Sequence, residues 1–510
     1  MRGPHNILRL IRTGATFERT GAMTVALDAV EAPARLRIAL RVLAWPFRWL
    51  GYRGDPALPP LTRAITALGP AYIKFGQILS TRADVVGVEL SGQLRMLQDR
   101  LPPFPTDVAK EIVAVELRGS VDELFLEFSE PVAAASIAQV HRARRADTGA
   151  EVAVKIVRPG IEAAFRRDID AFHFAAGFIE RLLPQTRRLR PRDVVSHFES
   201  VVMGELDLRL EAASASEFAE NTKNDPGFDV PRPHWELSAR RVLTSDWAEG
   251  IPFGARDAIV AAGHDTHRLA TRVLQLFLSH ALRDGFFHGD MHHGNLKVAA
   301  NGDVLAYDFG IMGQIDEYTR RVYAEILMGF IQRDYRRVAR VHFEAGYVPR
   351  DRDEAAFARA LRAVGEPIFG ADASRISMAN LLAYLFEVTE RFGMATRTEL
   401  ILLQRTMVVV EGVARSLDPN INMWQAARPV VESYIRDNLG PKAAAQDVLR
   451  MAQTLGRYSP LLPAMLDQFL WERANRPADE PPPPPPRRWQ MPLVGAAVLA
   501  AGVVLGAALG

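Results

Sequence analysis

The sequence predicts an α+β body of two lobes. Short alternating strand patterns fill much of the first half, the second half reads mostly helical, and one hairpin signal interrupts that helical half. At 510 residues the chain can bury one large core or two medium ones. Its 62 basic and 60 acidic residues leave a formal charge of +2, which excludes a global field strong enough to hold nucleic acid. The absence of cysteine rules out disulfides, iron–sulfur clusters, thiolate zinc sites and thiol nucleophiles. Six of the basic residues are lysine, at 74, 110, 155, 223, 297 and 442. In a chain that uses arginine almost everywhere else, each compact ammonium group is a candidate for chemistry.

Residues 1–60 read as an N-terminal amphipathic helical segment. Within Ala34–Leu50, Leu36, Leu40, Leu43, Phe47 and Leu50 form one helical stripe, flanked by Arg37, Arg41 and Arg48 and interrupted by Pro46. Such a helix either lies on an anionic bilayer or packs on its own domain. Met1–Arg12 lacks the pattern of a signal peptide, so the catalytic body is expected in the cytoplasm. Residues 61–115 form a helical extension, with the helical pattern stopping at Pro102-Pro103-Phe104-Pro105.

Residues 116–250 make the strand-bearing lobe. Its strands are expected at Leu124–Phe128, Gln139–Ala143, Val152–Val157 and Arg241–Asp246, with helices over Ile161–Leu183 and Val194–Phe218. Residues 251–476 make the helical lobe, in which Leu296–Ala299 and Val304–Asp308 flank the turn pair Asn301-Gly302. Residues 477–490 are a linker stiffened by prolines 481–486. The uncharged run 491–510 is just long enough to cross a bilayer, which takes about 17–25 residues. Arg487, Arg488 and Trp489 before it favour a single-pass anchor in the cytoplasmic (inner) membrane with the body inside. Gly502, Gly506 and Gly510 fall every fourth residue, a spacing that permits a homodimer through that helix, although glycine is also simply common in such runs.

The chemistry concentrates in His288-Gly289-Asp290-Met291-His292-His293-Gly294-Asn295, followed by Tyr307-Asp308-Phe309-Gly310. Phosphoryl transfer needs charge neutralised around a nucleotide and a positioned nucleophile. Kinase-like enzymes supply an Asp, an Asn five residues later, and an Asp-Phe-Gly after a hairpin. Asp290, Asn295 and Asp308 have that order and spacing. Asn295 and Asp308 offer oxygen ligands suited to Mg²⁺, and Asp290 would orient or deprotonate the attacking hydroxyl or water. The competing reading is a transition-metal site built from the three histidines; loop-bracing hydrogen bonds from His288 and His292 account for them more simply.

Val152-Ala153-Val154-Lys155 alternates as a strand ending in a scarce lysine, which would reach ATP phosphates and pair with Glu211. A surface lysine and a solvated acidic face are the plainer alternatives. No glycine-rich loop precedes this strand. In its place stands Ala133-Ala134-Ala135-Ser136-Ile137-Ala138-Gln139-Val140-His141, whose small side chains let backbone N–H groups approach phosphate.

In these residues the chain resembles the UbiB family of atypical kinases. Ala133–His141 is similar to that family's substitute for the glycine-rich loop, and Lys74-Phe75-Gly76-Gln77 resembles its KxGQ segment. Gln98–Pro103 resembles the stretch that follows, and Glu205-Leu206-Asp207 resembles its ExD motif. Together these span roughly Leu61 to Pro441.

The resemblance implies ATP and Mg²⁺ binding and ATPase-like activity. It also implies regulation by Lys74 and Gln77, with Lys74 facing Glu205 and Asp207, and support of ubiquinone biosynthesis through quinone-precursor lipids or partner proteins. Gly289, Met291 and His293 depart from the Ala, Pro and Pro of many relatives, and the single apolar C-terminal run departs from the two spans of some. The loop also resembles that of aminoglycoside phosphotransferases, so a phosphotransferase for a soluble hydroxyl compound stays open, as does a nucleotide-sensing membrane scaffold without catalysis.

Overall fold

The computed structural model describes residues 5–29, 38, 45–80, 93–94, 97, 102–182, 191–370, 388, 391–394 and 398–440. They divide into two compact units. The first comprises Met1–Ala213 and Pro233–Trp247, the second Ser214–Arg232 and Ala248–Pro484. The predicted linker and membrane span, 477–510, lie outside the described residues. Among the described residues no helix is long and apolar enough to cross a membrane.

The first unit is built on an antiparallel sheet of β1 (Phe125–Ala134), β2 (Ala138–Arg145), β3 (Glu151–Val157) and β5 (Val242–Asp246), in the order β1-β2-β3-β5. Alternation decides its faces. Val152, Val154 and Ile156 are buried against Ala109, Ile112 and Val113 of the helix Thr106–Leu117, which turns Ala153 and Lys155 to the other side. That second face belongs to a helical core in which Phe165, Phe172 and Phe198 pack with Tyr72 and Phe75.

The helical extension breaks into Pro60–Leu68 and Pro70–Ser80, because Gly69 takes φ 107 and Pro70 has no N–H to continue a helix. Of the predicted Ala34–Leu50 helix, the described parts are Ile38 and a 3₁₀ turn, Trp45–Leu50; the remainder lies outside the described residues. The single helix expected over Val194–Phe218 is two, Pro191–Glu205 and Leu208–Thr222. The break falls at Leu206-Asp207, where Asp207 accepts from the Arg209 backbone N–H and starts the second helix as a cap.

The second unit is mainly helical. Thr266–Ser279, Thr398–Leu417 and Met423–Asn438 surround a core of Leu274, Phe277, Leu403, Met407 and Val410, into which the strand-borne Phe287, Leu296 and Val304 also pack. Two small sheets sit in this unit. One pairs β7 (Phe286–His288) with β10 (Met312–Gln314). The other runs β4 (Phe228–Asp229), β9 (Val304–Ala306), β8 (Leu296–Val298) and β6 (Ile251–Pro252). The hairpin expected at Asn301-Gly302 is present: Val298 pairs Val304, and Gly302 has φ 87. Its second strand stops at Ala306, two residues short of expectation, because Asp308 leaves the extended region for φ 66.

His342 gives this unit a titratable core. It is 5% exposed in the helix Tyr335–Glu344, its Nδ1–H bonded to the Val338 carbonyl at 2.7 Å. Burial pushes its imidazole from 6.5 down to about 4. Between those two values the unfolded chain holds the proton and the folded chain does not, so stability is complete above 6.5 and falls as the pH drops toward 4. Acidifying from pH 7 to 5 is expected to cost the wild type about 2 kcal/mol more than His342→Gln. Urea unfolding at the two pH values checks this; equal losses in both proteins would refute it.

Candidate active site

The groups expected to handle phosphate arise in the first unit. Lys155 leaves β3 on the face opposite its valines, and its Nζ donates to both Glu211 carboxylate oxygens, at 2.7 and 2.9 Å. Glu211 stands in the first turn of the helix Leu208–Thr222. The side chains are 21% and 10% exposed, so neither is an ordinary surface charge. A lysine so held keeps a compact cation fixed on the strand.

Ala133–His141, expected to cover phosphate as a loop, is mostly hairpin. Ala133 and Ala134 end β1, Ala138 begins β2, and the turn between them closes through Ala135 N–H to the Ala138 carbonyl at 2.8 Å. Gln139 and His141 do not project toward solvent. Both are fully buried. Gln139 accepts from the Phe104 N–H at 2.9 Å and donates to the Phe104 carbonyl at 3.2 Å, while His141 Nδ1 bonds the Ser129 carbonyl at 2.8 Å. Burial pushes the His141 pKa down, which keeps the ring neutral. Ser136 and Ile137 are also buried, so the backbone of the turn is what this segment can offer a nucleotide. Arg158, not anticipated, donates to the Ala135 and Pro102 carbonyls at 2.9 Å and ties the turn to the proline strap.

Lys74 pairs with Glu205 at 2.7 Å, the side chains 13% and 15% exposed. Asp207, expected to share that lysine, is instead held by the fork of Arg209 at 2.8 and 2.6 Å, which keeps its carboxyl below the usual carboxylate range. The physical reason is the helix break: Glu205 ends one helix and Asp207 caps the next, and a guanidinium two residues away supplies a bidentate partner. Gln77 Nε2 lies 3.5 Å from the Leu97 carbonyl. Gly76 beside it allows close packing, since a Cβ there would come within 2.4 Å of Leu97 Cδ1.

In the second unit, β7 ends at His288 and delivers the loop that carries Asp290 and Asn295. His288 is 1% exposed and uses both ring nitrogens. Nδ1 accepts from the Asp290 N–H at 3.0 Å, which leaves Nε2–H to donate to the Tyr307 carbonyl at 3.3 Å. Burial lowers its pKa, in keeping with a neutral ring. His292 Nδ1 accepts from the Gly294 N–H at 2.8 Å, and its Nε2 lies 3.7 Å from Asp290 Oδ2. Asn295 donates through Nδ2 to the Asp290 carbonyl at 3.0 Å, which leaves Oδ1 as its ligating atom.

Asp308 follows in the left-handed region at φ 66, uncommon for a non-glycine residue and found where the surroundings enforce it. Phe309 behind it is buried against Phe218 and His288 at 5.5 and 5.4 Å between ring centroids. Among the described residues no group of three His, Cys, Asp or Glu side chains could hold a metal alone. An amide oxygen and one carboxylate fit Mg²⁺, which is commonly bound through one or two carboxylates with substrate phosphates and water completing its shell.

Thr406 escaped the sequence reading. It is fully buried on the helix Thr398–Leu417. Its hydroxyl lies 2.9 Å from both the Gly289 carbonyl and the Leu402 carbonyl of its own helix, and its one hydrogen, shared between them, links the loop to that helix. A lone threonine 117 positions away carries no local signal of that contact.

A strand-borne lysine paired with a helical glutamate, an Asp–Asn loop and a strained Asp-Phe-Gly segment define an atypical kinase-like protein. The ABC1 atypical kinase-like domain matches residues 96–342, and the UbiB helical domain matches residues 361–422. The chain is 37% identical over 507 residues to a protein of Azotobacter vinelandii described as "Probable protein kinase UbiB", covering 98% of this chain and 93% of the relative. The solved complex of Rv3197 with erythromycin from Mycobacterium tuberculosis aligns with a TM-score of 0.50 at 24% identity, over 64% of this chain and 83% of that one, and speaks to the fold alone. The chain belongs to the ABC1/UbiB family.

Thr406→Val is expected to lower stability by about 1–2 kcal/mol, because the Gly289 carbonyl loses its partner in a buried site. Thermal unfolding beside an alanine substitution at exposed Arg405 checks this, and equal midpoints would refute it. Glu205→Gln leaves the largely buried Lys74 ammonium without its counter-charge. A double-mutant cycle with Lys74→Met is expected to show a coupling of about 1–3 kcal/mol, and none if the pair is incidental.

Proposed function

We propose that this protein is a kinase-like enzyme that consumes ATP, as an ATPase or as a small-molecule or lipid kinase, in support of ubiquinone biosynthesis. It works from the cytoplasmic face of the inner membrane, anchored by residues 491–510. One observation carries the catalytic part: the buried His288 ties the Asp290 amide to the Tyr307 carbonyl, so the proposed base and the proposed metal-binding Asp308 are held by one imidazole. The ubiquinone part rests on the family and on its UbiB-named relative.

In this reading Lys155, oriented by Glu211, binds ATP phosphate oxygens, and the Ala135–Ala138 turn offers them backbone N–H groups other than that of Ala135, which closes the turn. Asn295 Oδ1 and the Asp308 carboxylate hold Mg²⁺, which would neutralise phosphate charge. Asp290 orients a water or acceptor hydroxyl. The hydroxyl oxygen bonds to the γ-phosphorus, the bond from that phosphorus to the ADP oxygen breaks, and the proton passes to Asp290. Lys74 and Gln77 tune the reaction from the helical extension, with Glu205 as the counter-charge to Lys74.

Asp290→Asn is expected to lower ATP hydrolysis about 10²-fold or more while leaving the unfolding midpoint in place. Phosphate release by the purified full chain measures the first and thermal unfolding the second. Unchanged hydrolysis would refute the assignment. In a deletion strain, wild type but not Asp308→Asn is expected to restore quinone levels. Full rescue by Lys155→Met would point to a scaffold rather than an enzyme.

A further inference from the structure

Large apolar side chains left in solvent gather near the start of the described chain. Leu8 is 70% exposed, Trp45 70%, Trp49 74% and Tyr52 44%. No residue of the 3₁₀ turn Trp45–Leu50 that carries the two indoles is buried. The turn is nevertheless firmly seated. Tyr52 N–H donates to Thr16 Oγ1 at 3.0 Å, and Arg19 donates to the Gly51 carbonyl at 2.7 Å and the Trp49 carbonyl at 3.4 Å. Gly51 lies so close to the helix His5–Thr20 that a Cβ would come within 2.4 Å of the Ala15 backbone. An anchored backbone thus carries Trp49 outward, with Trp45 at the start of the same turn.

The surrounding charge is mostly positive. His5–Thr20 and Trp45–Arg53 together carry Arg9, Arg12, Arg19, Arg48 and Arg53 against the single acid Glu18. Of these arginines, Arg9 is paired with Asp168 and Arg12 lies over the Tyr52 ring at 5.6 Å. Indole and phenol rings prefer the level of lipid head groups, where the ring body is apolar and its edge is wet. Arginines beside them complement phosphate.

We propose that Trp45, Trp49 and Tyr52, with Arg12, Arg48 and Arg53, form a platform that rests on the head groups of an anionic bilayer. This contact is additional to the proposed C-terminal anchor and independent of the nucleotide reading. It sets one face of the first unit against the lipid surface.

The test uses the full chain reconstituted into vesicles of phosphatidylethanolamine with phosphatidylglycerol, or of phosphatidylcholine, each with bromine-labelled acyl chains. The fluorescence difference between wild type and Trp45→Phe/Trp49→Phe isolates these two indoles from the other tryptophans. That difference signal is expected to be quenched and blue-shifted on the anionic vesicles, and Arg48→Glu is expected to reduce both effects. Lys155→Met should keep the quenching, so failure of the nucleotide reading would leave this result standing. A difference signal untouched by brominated lipid overturns the proposal. So does conversion of a dimer to a monomer by Trp45→Ser/Trp49→Ser in detergent, which would assign the platform to a second copy of the chain.

Discussion

The loop that carries Asp290 and the segment that carries Asp308 depend on one neutral imidazole. His288 accepts from the Asp290 amide and donates to the carbonyl of Tyr307, 19 residues further along, and so joins the two segments. A protonated ring would turn its accepting nitrogen into a donor facing another donor. Burial opposes that protonation and holds the ring in its bridging form. The strained Asp308 follows from the same arrangement. Its left-handed backbone is costly in isolation and is retained because Tyr307 before it and Phe309 after it are both held.

The first unit solves a different problem, which is to orient two partly buried lysines. Lys155 lies against Glu211 and Lys74 against Glu205. The two acids flank the same helix break, one ending a helix and one in the first turn of the next. The break thus sets two ion pairs at once, and Asp207 within it serves as cap and Arg209 partner rather than as a third acid for Lys74. Such pairs contribute orientation more than net stability, since desolvation offsets much of their attraction.

Much of the site was legible because its signals are local. The alternation of Val152–Lys155, the turn pair Asn301-Gly302 and the Asp–Asn spacing each constrain a few neighbouring residues, and local geometry follows from them. What escaped the reading depends on distance. Gln139 reads as part of a phosphate loop until Phe104, 35 residues earlier, takes its amide. Asp207 reads as a second acid for Lys74 until Arg209 takes it, and Thr406 reads as an ordinary helical threonine until it meets Gly289. The helix expected through Val194–Phe218 breaks for a local reason: Asp207 within it is also a strong helix-start residue.

We propose that Lys155, Asn295 and Asp308 serve one magnesium nucleotide. Calorimetric titration of the full chain with ATP, with and without Mg²⁺, tests it most directly in wild type, Asp308→Asn and Lys155→Met. Mg²⁺ is expected to tighten binding in wild type, Asp308→Asn to abolish the Mg²⁺ effect, and Lys155→Met to weaken binding under both conditions. Equal affinities in all three proteins, with or without the metal, would contradict it.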